Sequence, residues 1–274
     1  MKQLIVRYVV MFAALCVFGY ASYELTLIYL DSQDSKEINN EISNMFMVEE
    51  TSEDESGEPQ TDGDGETITM SNSSTGAKFV WDFELLLSYN SEAKGYIRQE
   101  DGEYIDNPIL QHSDNEYYLD HLPNNTYNSS GSIFVDYRIE EGLEAKNPIV
   151  YGHRMGGRTN YNIFGSLIWY ISKDGYAEAH PDMDIYIGEK HYKYYVFACY
   201  ETASEGSDTY QYSFASDESF MEYVNKCLEK SVHDFPKAGE ITAEDKIITL
   251  STCTIDDKSK RTIVQLVQRE EIKD

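Results

Sequence analysis

Positive charge is scarce in this chain of 274 residues: 22 lysines and arginines stand against 49 aspartates and glutamates, a formal net charge of −27. No cationic patch can dominate so negative a field, which argues against direct binding to nucleic acid or to anionic lipid surfaces. Cysteine is scarce too, and four of them cannot build a dense disulfide framework. Two tryptophans against 23 tyrosines hint at tyrosine-rich β structure. No internal repeat is visible. The chain does have ample apolar side chain, 41%, to bury a core in one domain or two.

Charge is also missing locally. Residues 8–23 carry none, and apolar character resumes after Glu24 through Leu30. A helix rises about 1.5 Å per residue, so roughly 20 residues cross a bilayer core, and residues 8–27 fit. Lys2 and Arg7 on the N-terminal flank, with acids beyond, place residue 1 in the cytoplasm and the rest outside. The competing reading is a cleaved signal peptide with Gly19-Tyr20-Ala21 as its cleavage site, but the apolar stretch runs well past it. Cys16 then packs within the membrane. Residues 31–76 hold thirteen acids and one lysine. Residues 31–48 contain enough apolar side chains for a short helix, and the Ser, Thr, Gly and acid-rich remainder reads as an extended spacer. Its run Asp62-Gly63-Asp64-Gly65-Glu66 lacks the full spacing of a calcium loop. The expected organisation is a cytoplasmic stub and anchor at 1–30, an acidic flexible spacer at 31–78 and a globular domain at 79–274.

Residues 79–89 (FVWDFELLLSY) suggest a docked helix. Short β-branched and aromatic runs follow at 131–136, 148–153, 183–187, 192–200, 246–253 and 261–267, with a hairpin turn at 188–191. A strong helix is predicted over 217–232, where Phe220, Tyr223, Val224, Cys227 and Leu228 make one apolar stripe and Pro236 and Gly239 mark the exit. The fold class is mostly β, read as a barrel decorated by helices.

Cys199, amid Phe197 and Tyr200, and Cys227, on the helix stripe, read as small core residues. Cys253 differs: it ends the strand IITLSTC and precedes a polar loop, where a nucleophile reaches substrate while a sheet fixes its position. Seven loop residues later Arg261 begins the next run, so an antiparallel hairpin brings its guanidinium beside the thiol, able to stabilise a thiolate or an oxyanion. Acyl transfer by a thiol also needs a proton donor and acceptor. Of six histidines, His112, His121, His180, His191 and His233 read as surface or structural residues. His153 ends the apolar strand PIVYGH, the same context as Cys253. One hundred positions separate the two, and spacing alone does not show that they meet.

Together, Leu250-Ser251-Thr252-Cys253 with Arg261, Tyr151-Gly152-His153 upstream, residues 114–119 (DNEYYL), residues 131–138 (GSIFVDYR) and the inserted helix resemble the sortases, specifically class B. The likeness covers about residues 79–269. It departs at Tyr96, where the family commonly has Trp, and at Asn107 before Pro108. The resemblance implies a closed β-barrel of about eight strands, with an N-terminal helix and a long helix between late strands, behind one transmembrane helix. It also implies a cysteine transpeptidase acting on secreted proteins with a C-terminal sorting signal. By that likeness Cys253 attacks the carbonyl after the signal's threonine, His153 transfers the proton, and Arg261 holds the carbonyl oxygen. The acceptor is an amine of a peptidoglycan precursor or a pilin lysine. Asn115, Leu119, Tyr151 and Ser251 match positions touching the sorting peptide, with Tyr210 a weaker match; no metal or organic cofactor is implied. Pilin polymerisation, a thiol hydrolase and a non-catalytic peptide-binding module are the alternatives. An ordinary thiol titrates near 8.5 and imidazole near 6.5, so the thiolate–imidazolium pair is a minority at neutral pH unless Arg261 shifts the balance.

Overall fold

Alternation of β-branched and aromatic residues makes strands here, and the pairing of those strands closes on itself. The computed structural model describes residues 2–49, 77–99, 104–154, 163–203, 208–253 and 259–273, with backbone alone at 2–4, 48, 49, 77 and 253. In chain order come α1 (Lys2–Met45), β1 (Met47–Glu49), β2 (Ala77–Phe79), α2 (Phe83–Tyr89), β3 (Ala93–Gln99), β4 (Ile105–Leu110), β5 (Ile133–Val135) and β6 (Ile149–Tyr151). Then follow α3 (Trp169–Ser172), α4 (Tyr176–Ala179), β7 (Asp182–Ile187), β8 (Lys190–Ala203), α5 (Asp217–Lys230), β9 (Ile247–Cys253) and β10 (Lys260–Ile272). Eight strands form a closed barrel in the order β10-β8-β7-β3-β4-β5-β6-β9. β4 runs parallel to β5 and β6 parallel to β9; the other barrel pairs are antiparallel. The expected mostly-β barrel with attendant helices is the observed architecture.

The predicted runs correspond to β5 through β10, but β3 and β4 carry residues that argue against strands. Gly95 sits where β3 shifts register, and a Cβ there would lie 2.1 Å from the Tyr186 carbonyl oxygen, so only glycine fits. Pro108 lies in the half of β4 that β5 does not reach. Tyr96 is fully buried against Phe46, Phe79 and Trp81. The β7–β8 turn is tighter than expected: Gly188, at φ +55°, and Glu189 form it, and His191 is already in β8, bonded to Asp184.

The two globular helices are capped by their own sequence. Asp82 accepts from the Leu85 amide at the start of α2, and Ser216 and Ser219 form a reciprocal box at the start of α5. Four members of the α5 stripe are buried, Cys227 among them, while Leu228 is exposed. Cys199 is buried in the barrel, and that burial pushes its thiol up to about 12, in keeping with a core role.

Within the segment 31–78, expected as a flexible spacer that opens on a short helix over 31–48, residues 31–45 are helical. Residues 31–45 continue α1 without a break, and Ile42 and Phe46 are buried in a cluster with Leu86, Tyr96, Leu110 and Tyr118. Apolar residues at helical spacing in a stretch otherwise rich in acid supply the buried face. The globular unit therefore begins well before residue 79. Residues 50–76, with the Asp62–Glu66 run, lie outside the described residues. Phe46→Ala should lower stability to denaturant by about 3–5 kcal/mol, since it empties a buried aromatic site. A change within about 0.5 kcal/mol would mean that this segment does not belong to the core.

Candidate functional site

The centre of the site is set by backbone pairing. β9 bonds to β10 with Arg261 opposite Cys253, Thr262 opposite Thr252 and Ile263 opposite Ser251. On its other side it runs parallel to β6, with Tyr151 beside Ser251, and the Gly152 amide extends the ladder to the Ser251 carbonyl at 3.2 Å. His153 follows at once, so the ends of β6 and β9 and the start of β10 meet at one rim of the barrel. The antiparallel pairing of Arg261 with Cys253 is present in the backbone, and His153 follows the end of β6 alongside β9. The Cys253 side chain and residues 254–258 lie outside the described residues, as do residues 155–162 after His153.

His153 is partly buried, and its Nε2 lies 2.8 Å from the Leu119 carbonyl oxygen. A carbonyl can only accept, so Nε2 carries the proton, and in the neutral ring Nδ1 is the basic atom. Burial chiefly holds the imidazole below the usual histidine value; the Leu119 bond opposes this, the Arg261 charge adds to it, and Asp120 opposes it. Arg261 therefore acts electrostatically on the ring, while its Nη1 donates to the Lys260 carbonyl at 2.9 Å. The backbone beyond is constrained. Phe164 N–H donates to the His153 carbonyl at 3.2 Å, and Arg154 bridges Ile163, which is held at φ +60°. That conformation costs a β-branched residue about 1–3 kcal/mol, offset here by its complete burial. Gly152 leaves no room for a side chain, since a Cβ would stand 2.6 Å from the Phe164 ring.

The residues expected to contact the peptide are held in different ways. Ser251 is buried and its hydroxyl pairs with Tyr210 Oη at 3.1 Å, which brings Tyr210 into the site. Tyr151 packs its ring against Phe134 and Tyr210 and donates to Asp136 at 3.0 Å. Burial and the adjacent Asp136 carboxylate push the Tyr151 phenol well up, so it remains a donor. Burial works to raise Asp136 as well, but hydrogen bonds from Arg138 and Tyr151 outweigh it and hold the carboxyl low. Asn115 uses its carbonyl oxygen to cap the Tyr137 amide at 2.9 Å. Leu119 presents an exposed side chain, and its carbonyl holds His153.

A buried polar network fixes this arrangement from behind. Gln265 on β10 donates to Tyr223 Oη of α5 at 2.7 Å and to Thr249 Oγ1 of β9 at 3.0 Å. Thr249 donates to Asn147, and Tyr223 donates to the Thr209 carbonyl next to Tyr210. The inserted helix thus holds the loop that carries Tyr210. No single residue type advertises this network in the sequence. Among the described residues no group of three or more His, Cys, Asp or Glu is placed to hold a metal ion.

The lowered His153 value has a definite sign. The folded state binds this proton more weakly than the unfolded chain, so its contribution to stability is complete above the ordinary 6.5 and is lost as pH falls below it. An NMR titration of the imidazole in the intact protein should find its midpoint below 6.5. A midpoint at or above that value would contradict the burial read from the structure.

No family model matches this chain. Sortase B of Listeria monocytogenes is 37% identical over 170 residues, 61% of this chain and 65% of that protein. Sortase B of Staphylococcus aureus is 29% identical over 66% of this chain and 72% of that protein. The chain thus spans just under two thirds of the Listeria relative's length. Among solved structures, the L. monocytogenes sortase B is 34% identical, with 68% of this chain and 99% of that chain covered at a TM-score of 0.57. The S. aureus sortase B–substrate complex is 28% identical over 69% and 84%, at a TM-score of 0.61. A sortase B complexed with triglycine is 28% identical over 69% and 85%, also at 0.61. At 34% identity to a solved sortase B of which it covers 99%, and with a closed eight-stranded barrel, the chain belongs to the class B sortases.

Proposed function

We propose that this protein is a membrane-anchored cysteine transpeptidase that cleaves a C-terminal sorting signal after threonine and transfers the protein to an amine of the cell-wall precursor. The observation that carries the reading is the register that sets Arg261 opposite Cys253, with His153 one step beyond the paired end of β6. Relatives of the same class supply the chemistry: one is solved as a substrate complex and another with triglycine, a peptide amine.

In this scheme the Cys253 thiolate adds to the scissile carbonyl carbon, and the Arg261 guanidinium stabilises the oxyanion. Collapse breaks the C–N bond as His153 gives its proton to the departing amine, leaving a thioester on Cys253. The acceptor amine then adds to the thioester, loses its proton to His153, and expels the thiolate as the new amide forms. Burial holds the His153 imidazole below its usual value and so works against the imidazolium half of the pair. Tyr151, Ser251, Leu119 and Asn115 frame the peptide groove, with Tyr210 closing over Ser251.

The N-terminal helix is long and apolar enough to cross a membrane by length and composition, with its side chains at residues 5–30 largely exposed. Lys2 and Arg7 on its near flank put that end in the cytoplasm and the barrel outside, where secreted substrates emerge. Attachment to the wall is the favoured outcome over pilin polymerisation.

The intact chain in detergent micelles, given a sorting-signal peptide and triglycine, should yield ligated product. Cys253→Ala should remove turnover by about three orders of magnitude or more, and Arg261→Ala should cost about 100-fold or more in kcat. Cleavage without ligation would indicate a hydrolase, and no cleavage a binding module. Ladders formed from purified pilin would indicate a polymerase. Full activity in Cys253→Ala would overturn the site.

A further inference from the structure

The apolar span of α1 and the active-site rim are joined by hydrogen bonds. Asp31 is the first charged residue after Glu24, at the outer end of that span. Its carboxylate Oδ2 accepts from the Ser129 amide at 3.1 Å and from the Ser129 hydroxyl at 2.5 Å. Its backbone carbonyl accepts from Asn128 Nδ2 at 2.9 Å and from Ser130 Oγ at 3.3 Å. Three consecutive residues of the barrel therefore grip one residue of the anchor helix. Below them the helix stays docked, with Ser32, Ser35 and Ile42 buried.

The gripped segment lies directly against the group that holds His153. Gly131 donates to the Asn128 carbonyl at 3.0 Å and sits at φ +61°, where a Cβ would stand 2.5 Å from the Tyr118 oxygen and 2.6 Å from the Leu119 oxygen. Ser132 N–H donates to the Tyr118 carbonyl and Asn128 N–H to the Asp120 carbonyl, each at 2.9 Å. Residues 128–132 are thus pressed onto the carbonyls of residues 118–120. The middle one of these accepts from His153 Nε2.

We propose that Asp31 is a positioning residue: the outer end of the membrane helix clamps residues 128–130, and through Gly131 and the Leu119 carbonyl it sets the orientation of the His153 ring. The catalytic consequence rests on the transpeptidase reading above, whereas the clamp itself is measurable without turnover. Near-attack geometry is sensitive to shifts of an ångström, so loosening a carbonyl that orients the proton-transfer group costs rate and leaves peptide affinity largely intact.

The test uses the intact chain in micelles and compares Asp31→Ala, Asp31→Asn and, as a control one turn further on and exposed, Asp34→Ala. Two readouts are taken: the NMR titration of His153, and kcat and KM for the sorting peptide with triglycine. In Asp31→Ala the titration should move to lower pH, because the Leu119 bond that raises it is weakened while Arg261 and Asp120 stay in place. Its kcat should fall about fivefold with KM within about twofold. Asp31→Asn keeps an acceptor for Ser129 but not the charge, and should restore most of both; Asp34→Ala should match the parent. Ser129→Ala, which removes only the hydroxyl bond, is read the same way should Asp31→Ala fail to fold. An unshifted titration overturns the proposal whatever kcat does, and so does an Asn variant as impaired as Ala. If the parent shows no turnover but Asp31→Ala still moves the titration, the clamp stands and the transpeptidase reading is what fails.

Discussion

Strand β9 is bonded on both sides, to β6 in parallel and to β10 in antiparallel register, and those two registers set Arg261 opposite Cys253 and Tyr151 beside Ser251. A slip of one position in either ladder would turn the side chains of a whole strand to the opposite face. The slip is resisted because β9 is buried at every described side chain and because Thr249 joins the network of Gln265, Tyr223 and Asn147. Buried polar groups of this kind cost several kcal/mol when unpaired, so the network favours one register over its neighbours. The site inherits its precision from a strand with backbone partners on both sides.

Around this strand, electrostatics and burial act in opposite directions on different groups. Burial lowers His153 and thereby favours its neutral form, while the same burial leaves the Tyr151 phenol protonated as a donor to Asp136. The Asp136–Arg138 pair keeps a carboxylate ionised behind the rim. The Arg261 charge acts on His153 in the same direction as burial, against the protonated ring.

Much of this was legible in the sequence, for physical reasons that can be named. Six barrel strands announce themselves by β-branched and aromatic runs, and α5 by its apolar stripe. β3 and β4 do not, because Gly95 serves a close backbone approach and Pro108 occupies a half-unpaired stretch, and both suppress the local signal. The continuation of α1 past residue 30 is masked by its acids, since only its inner face, with Ile42, meets the barrel. Cys253 and Arg261 could be paired from loop length, whereas His153 could be joined to them only through β6 and β9, strands far apart in the chain. Leu119 contributes a carbonyl to His153, and a backbone acceptor leaves no mark in a sequence.

Helix α1 is joined to the segment at 128–130 by hydrogen bonds and to the barrel by packing through Ile42. The central claim is that the Cys253 sulfur carries the acyl group between substrate and acceptor. Intact-mass spectrometry after brief exposure to a sorting-signal peptide without an amine tests it most directly. The expected result is a mass increase equal to the N-terminal peptide fragment, mapped to Cys253 and discharged by triglycine. Cleaved peptide with the adduct on Cys199 or Cys227, or an adduct that triglycine does not discharge, would contradict it.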